Sequence, residues 1–253
     1  MAEKHDKHMR RFGLIGKDIS YSFSRNYFKN KFETEVIKDT TYENFDLKNI
    51  ALFKTKLKQE SDINGLNVTI PYKEDIMPFL DKLNKRAKAI GAVNTIKITK
   101  KGNYIGYNTD YYGFKKSLKP LLKAHHKKAL ILGTGGASKA IAYALKSLDI
   151  DYAFVSRNTS KKAKYTYNKL SDKVIEAHQI IINCTPLGTF PDVNECPDIP
   201  YQAISNQHIL FDLIYNPSET RFLNLGKQNS ATIINGEKML ALQAEKSWSI
   251  WNK

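Results

Sequence analysis

The chain has 253 residues, enough for one large domain or two modest ones, each with its own core. Hydrophobic residues make up 42%, which excludes a disordered chain, and no apolar run reaches the roughly 18–20 residues of a membrane-spanning helix. The net charge is +15, but the lysines are scattered through 54–58, 82–88, 115–128 and 161–169 and do not interleave with aromatic residues in any recognisable RNA- or DNA-binding motif, a pattern of solvated faces rather than of a nucleic-acid interface.

Short apolar runs alternate with helical stretches along the first half. The patterning predicts a strand at Phe12–Gly16, a helix at Arg25–Glu35, a strand at Thr41–Phe45, a helix at Ile50–Gln59 and a strand at Ile63–Ile70. Helical patterning returns at Lys73–Leu80 and Leu83–Ile90. Strands over Ala92–Ile98 and Tyr104–Tyr107, joined by Lys100-Lys101-Gly102-Asn103, predict a hairpin. The second half is more regular. Helix Asp110–Lys123 leads to a buried strand, Ala129–Leu132, which ends in Gly133-Thr134-Gly135-Gly136. Helix Ala137–Leu148, strand Tyr152–Ser156 and helix Lys161–Leu170 follow, then strands at Ile180–Asn183, Ile209–Leu213 and Ala231–Ile234. Strands and helices alternating at this spacing imply βαβ units and a parallel sheet. The last helix, Glu237–Trp251, carries Leu240, Ile250 and Trp251 on a stripe that also holds Gln243 and Ser247, so it must dock on something.

Two cysteines, Cys184 and Cys196, match no disulfide framework and no zinc spacing, and the six histidines form no ligand pair, so no metal is expected. The segment Met1–Arg11 is charged and lacks the apolar stretch of a signal peptide, which points to a cytoplasmic protein.

The glycine-rich turn after Leu132 opens a helix, where a dinucleotide fingerprint belongs. Its glycines permit a tight turn and let the backbone approach a pyrophosphate at the helix N-terminus. Ser138 stands where such turns usually have Gly or Ala. About 20 residues on, an NAD site carries an acid, whereas here Ser156-Arg157-Asn158-Thr159 is followed by Lys161 and Lys162. An arginine and hydroxyls suit a 2′-phosphate, so NADP is favoured over NAD. Taken singly, other positions decide nothing. Lys73 reads as a surface lysine, Asn108-Thr109-Asp110 as a helix cap and Ser22-Phe23-Ser24 as a helix start. Gln243 is less easily set aside, because a buried amide needs partners.

Eight blocks in order change that reading. They are Ser22-x-Ser24, Asn67-Val68-Thr69-x-Pro71-x-Lys73, Gly91-Ala92-Val93-Asn94-Thr95 and Asn108-Thr109-Asp110-x-x-Gly113 in the first half. Gly133-x-Gly135-Gly136-Ala137, Asn183-x-Thr185-Pro186-Leu187-Gly188, Asp212-Leu213-Ile214-Tyr215-Asn216-Pro217 and Gly236-x-x-Met239-Leu240-x-x-Gln243-Ala244 complete the set. From about Phe12 to Trp251 the chain resembles the shikimate dehydrogenase family.

The resemblance implies an α/β fold. It has an N-terminal α/β substrate domain (1–113 with 237–253) and a Rossmann-like, doubly wound parallel-sheet NADP domain (114–236), with the C-terminal helix returning to the first domain. It also implies NADPH-dependent, reversible reduction of 3-dehydroshikimate to shikimate, by a monomer or homodimer with no nucleic-acid partner and no membrane. Lys73 and Asp110 would be catalytic. Substrate contacts would fall to Ser22, Ser24, Thr69, Lys73, Asn94, Asp110, Tyr215 and Gln243. Cofactor contacts would fall to Gly133, Thr134, Gly135, Gly136, Ala137, Ser156, Arg157, Asn158, Lys161, Leu213 and Gly236. The sequence departs from the family pattern at Tyr21 and Arg25 beside the serine pair, and at Lys85, Ser156, Thr189 and Glu237. A quinate/shikimate dehydrogenase using NAD and a non-catalytic NADP-binding regulator are the alternatives. Retention of both Lys73 and Asp110 speaks against the second, and Arg157 without an acid against the first.

Overall fold

The computed structural model describes residues 9–19, 22–60, 62–159 and 163–253. They form two compact units, one from the segment ending at Thr109 together with Ala244–Lys253, the other from Asp110–Gln243.

The first unit is built on a mixed six-stranded sheet, β1 (Arg10–Gly16), β2 (Thr40–Asp46), β3 (Ile63–Val68), β4 (Lys82–Leu83), β5 (Thr95–Ile98) and β6 (Tyr104–Tyr107), in the order β2-β1-β3-β5-β6-β4. The start of the chain makes parallel pairs, β1 with β2 and with β3, and the later hairpin makes antiparallel ones. Helix α1 (Phe23–Thr34) puts Phe28 and Phe32 on one face of the sheet. There they meet Phe12, Tyr42 and the last helix's Trp248 and Trp251. Phe12 stacks on Trp251 at 4.8 Å between ring centroids, and Trp251 Nε1 donates to the Ile96 carbonyl at 3.0 Å. The polar end of a buried indole is therefore satisfied. The other face is covered by α2 (Phe53–Lys58) and α3 (Lys85–Ile90), with Phe53, Leu57, Leu66, Ile76 and Ile96 in its core.

The second unit is an all-parallel sheet of β7 (Lys128–Leu132), β8 (Asp151–Ser156), β9 (Ala163–Thr166), β10 (Ile180–Asn183), β11 (Ile209–Asp212) and β12 (Thr232–Ile234). Its order, β12-β11-β10-β7-β8-β9, is that of a doubly wound dinucleotide fold, with the reversal between β7 and β10. Strands buried on both faces need apolar residues throughout, which is why Ile180, Ile181 and Ile182 run in sequence rather than alternate. One face carries Phe114 of α4 (Asp110–Leu118) and Ile141 and Leu145 of α5 (Gly136–Lys146). The other carries Ile175 of α6 (Asp172–Glu176) and Phe222 and Leu223 of α7 (Arg221–Gln228). Helix α8 (Glu237–Trp251) begins in this unit, and its residues from Ala244 on belong to the first. None of the described helices is long and apolar enough to cross a membrane.

Three expectations are corrected. Lys73–Leu80 is a run of turns ending in a 3-10 turn at Met77–Phe79, because Pro78 denies the segment a helical N–H. Among 161–170, the described residues form strand β9 and a 3-10 turn at Tyr167–Lys169 instead of a helix. Tyr165 and Thr166 are strand formers, and β9 pairs with β8 through Val155 opposite Tyr165 and Ser156 opposite Thr166. Helix Asp110–Lys123 stops at Leu118, and Lys119–Leu121 with Pro120 tightens into a 3-10 turn.

Candidate active site

In the first unit the serine pair sits at the start of α1. Ser22 is its N-cap, and its oxygen accepts from the Arg25 N–H at 3.3 Å. That engages a lone pair and leaves the hydroxyl proton to donate, at a helix end whose dipole favours an anion. Ser22 also lines a surface groove of about 710 Å³ with Arg25, Lys29 and Tyr42, so an anion has access to it. Ser24 lies four residues before Phe28, which stacks on Tyr42 at 4.6 Å. Burial pushes the Tyr42 phenol above its ordinary range, and a hydrogen bond from the Ser24 hydroxyl pulls the other way. Tyr42 donates onward to Asn67 Oδ1 at 2.8 Å.

Thr69 follows β3 directly. Its N–H donates to the Ile15 carbonyl at 2.8 Å, and its own carbonyl accepts from Tyr72 N at 3.0 Å. This turn delivers Lys73, half-buried, with its carbonyl accepting from Val93 N at 2.7 Å. The Asn67–Lys73 and Gly91–Thr95 blocks therefore meet through their backbones. Asn94 is buried, and its side-chain oxygen accepts from Thr109 N at 2.6 Å.

In the second unit Asp110 is the first residue of α4 and is buried. One turn later, Gly113 lets α8 come close. A Cβ there would overlap the Met239 carbonyl and lie 3.2 Å from Gln243 N. Gln243 is 6% exposed, and its amide donates to the Leu240 carbonyl at 3.0 Å, so the odd polar residue in the apolar stripe has a partner.

The glycine turn has the form the fingerprint requires. Gly133 has φ +103°, a region closed to most side chains, and its N–H donates to the Val155 carbonyl at 2.9 Å. Gly135 is the N-cap of α5, and a Cβ built on it would meet nothing within 4 Å. Open space above a helix N-terminus fits a pyrophosphate. Ser138 is accommodated by donating to the Gly135 carbonyl at 2.6 Å, which removes the polarity that made it an outlier. Thr134, Gly136 and Ala137 line the same turn. Ser156 ends β8, and Arg157 and Asn158 are exposed just beyond it, with no acid among them, as a 2′-phosphate requires. Lys161 and Tyr21 lie outside the described residues. Leu213 and Gly236 touch so closely that a Cβ on Gly236 would overlap the Leu213 carbonyl oxygen. The residues present thus fit a dinucleotide carrying a 2′-phosphate.

Asp212 holds this end of the sheet together, a role not read from the sequence. It is fully buried. Oδ1 accepts from Asn183 Nδ2 at 3.1 Å and from Ile214 N at 3.0 Å, and Oδ2 accepts from the Thr220 hydroxyl at 2.6 Å. It thereby fixes the turn that presents Leu213 and half-buried Tyr215. Burial pushes its carboxyl up to about 6, against the pull of those three hydrogen bonds. The signal was present in the Asp212–Pro217 block, as an acid directly following three apolar strand residues.

Comparison with known proteins agrees with this geometry. The family described as shikimate dehydrogenase substrate binding domain matches residues 14–96. A shikimate dehydrogenase (NADP(+)) from Clostridium botulinum is 39% identical, covering 94% of this chain and 95% of that one. The structure of shikimate dehydrogenase 1 from Peptoclostridium difficile superposes with a TM-score of 0.84 at 39% identity, over 96% of this chain and 92% of that one. A shikimate 5-dehydrogenase from Thermus thermophilus, in complex with NADP(H) and shikimate, gives 0.85 at 27% identity, over 96% and 93%. With the sheet order, the glycine turn and near-complete coverage in agreement, the chain belongs to the shikimate dehydrogenase family.

Proposed function

We propose that this chain is the NADP-dependent enzyme that interconverts 3-dehydroshikimate and shikimate, with Lys73 and Asp110 as its catalytic residues. The observation that carries the reading is the open glycine turn at the start of α5, paired with Arg157 and no acid beyond β8. Residues 1–113 with 237–253 serve the substrate, and residues 114–236 serve the dinucleotide. The enzyme works in the cytoplasm as a monomer or homodimer, without a nucleic-acid or membrane partner.

The nicotinamide, when bound, supplies or accepts the hydride. The protein handles charge and protons. In reduction, the ketone oxygen gains negative charge, and Lys73 Nζ stabilises it and delivers the proton that completes the alcohol. In oxidation, Lys73 takes that proton back. Asp110 supplies the anionic partner of the reaction and binds the neighbouring hydroxyl. Ser22 and Ser24 donate to the substrate carboxylate, while Thr69, Asn94, Tyr215 and Gln243 fix the ring by its hydroxyls. Such fixing matters because misplacement of the reacting atoms costs rate steeply. Gly133 to Ala137 would hold the pyrophosphate, Ser156, Arg157, Asn158 and Lys161 would take the 2′-phosphate end, and Leu213 and Gly236 would also touch the cofactor.

Absorbance at the reduced-cofactor band with shikimate, comparing NADP+ and NAD+, tests the activity. Lys73→Ala is expected to lower kcat by roughly 10²–10⁴, the range for a positioned acid or base. The shikimate KM should move far less, because the interaction strengthens in the transition state. Asp110→Asn should also lower kcat, and the double variant should lose less than the two single losses combined. Near-normal kcat in a folded Lys73→Ala enzyme at saturating substrate refutes the catalytic assignment.

A further inference from the structure

Ser247 lies outside every block that resembles the family and outside the roles assigned above. It sits fully buried on α8, on the mostly apolar stripe it shares with Gln243. A buried hydroxyl costs free energy unless it is bonded. Docking the helix does not need it, since Phe12, Trp248 and Trp251 already do so.

Three of its contacts lead to polar groups of the substrate blocks. Ser247 Oγ accepts from Asn67 Nδ2 at 3.1 Å and lies 2.8 Å from Thr95 Oγ1 and 3.1 Å from Thr109 Oγ1. Thr95 Oγ1 and Thr109 Oγ1 are themselves 3.2 Å apart, so the three hydroxyls close a triangle. Two members of the triangle grip Asn94. Thr95 Oγ1 donates to Asn94 Oδ1 at 3.0 Å, and Asn94 Nδ2 donates to Thr109 Oγ1 at 2.9 Å. The Thr109 backbone N–H, which can only donate, meets Asn94 Oδ1 at 2.6 Å and so fixes which way the amide faces.

We propose that Ser247 is a positioning residue, whose hydroxyl closes the ring that sets the Asn94 amide and the Thr109 backbone leading into Asp110. This rests on the assignment of Asn94 and Asp110 to substrate made above. Without the Ser247 oxygen, Thr95 and Thr109 each lose a partner, and the two hydroxyls that hold Asn94 are less firmly fixed. A fully satisfied buried network rigidifies its members, and a broken one does not.

The test is a set of variants assayed well below their melting temperatures. Ser247→Ala is expected to lower kcat/KM for shikimate roughly tenfold, with NADP+ affinity by calorimetry unchanged within about twofold, a loss of the size expected for one buried hydrogen-bonding group. Ser247→Cys keeps the size with a weaker polar group and should show a smaller loss in the same direction, which covers the case of an Ala variant that does not fold. Trp251→Phe, which removes the indole bond to Ile96 and part of the ring packing on Phe12 and Phe28, should keep kcat/KM within about twofold, because it loosens docking without touching the hydroxyl triangle. In an Asn94→Ala background, Ser247→Ala should cost almost nothing further. Unchanged kcat/KM in both Ser247 variants overturns the proposal. So does an equal loss in Trp251→Phe, or an undiminished loss in the Asn94→Ala background. If Asn94→Ala and Asp110→Asn alone leave kcat/KM intact, the substrate assignment itself falls, an outcome distinct from failure at Ser247.

Discussion

Replacing Asp212 by Asn should make the protein more stable, by an amount that grows with pH. The Asp212 carboxyl is fully buried, and its proton affinity is raised from the ordinary 3.8 to about 6. Between those values the unfolded chain has released its proton and the folded chain still holds one. An acid with a raised native pKa contributes stability that is fully present below about 3.8 and lost as pH rises through about 6. Above that range, keeping the ion in the apolar interior costs about 3 kcal/mol, at about 1.4 kcal/mol per pH unit. Asparagine removes the ion but keeps a carbonyl oxygen for Asn183 and Ile214, and its amide meets a Thr220 hydroxyl that can rotate to accept. At pH 4 the two proteins should therefore differ little. By pH 7.5 the Asn variant should melt higher by about 6–12 °C, at roughly 2–4 °C per kcal/mol for a chain of this size. Paired melts followed by circular dichroism from pH 4 to 8 measure the difference, in which the titration of every other group cancels. A pH-independent difference, or one that shrinks as pH rises, refutes the reasoning, because it means the three hydrogen bonds outweigh burial.

Other perturbations follow from the same geometry. Arg157→Ala should raise the NADP+ Kd by about 10–100-fold, the worth of a charge-assisted bond to phosphate, and leave NAD+ binding nearly unchanged. Calorimetry with both cofactors decides it, and equal losses would assign Arg157 to the fold. Gly236→Ala drives a methyl into the Leu213 carbonyl, so it should cost about 1–3 kcal/mol in a thermal melt and weaken NADP+ binding. The charge of +15 should hold DNA on a column only at low salt, with retention lost near physiological ionic strength whatever the DNA sequence. Salt-resistant, sequence-dependent retention would contradict that expectation.

What could be read from the sequence was chemistry confined to contiguous blocks. Gly133–Ala137 announced a turn because glycines in a row suit few other roles, the strand before it is a continuous apolar run and the helix after it is periodic. The last helix was legible from end to end, since its apolar stripe runs unbroken by Gly or Pro. Strand β9 was not, because the lysines and alanine of its segment suit a helix and only pairing with Val155 and Ser156 decides for a strand. Tertiary context overrode local preference there. The supporting shell was equally hidden. Nothing local distinguishes Tyr42 from a surface polar residue, and although Thr95 stood in a block and Ser247 on the apolar stripe, the partners that give all three their roles exist only once strands and helices distant in sequence converge.

The division of the chain also dictates an order of events during synthesis. The second unit is one uninterrupted stretch, Asp110–Gln243, whereas the first needs residues from both ends of the chain. While the ribosome is still adding residues 110–243, the face formed by Phe12, Phe28 and Phe32 has emerged without Trp248 and Trp251 to cover it. That face is an adhesive surface throughout the time needed to translate more than half the protein, at the roughly 5–20 residues per second typical of synthesis. The unit begun first is thus finished last, and chaperones would find their target in the nascent first unit rather than in the dinucleotide fold.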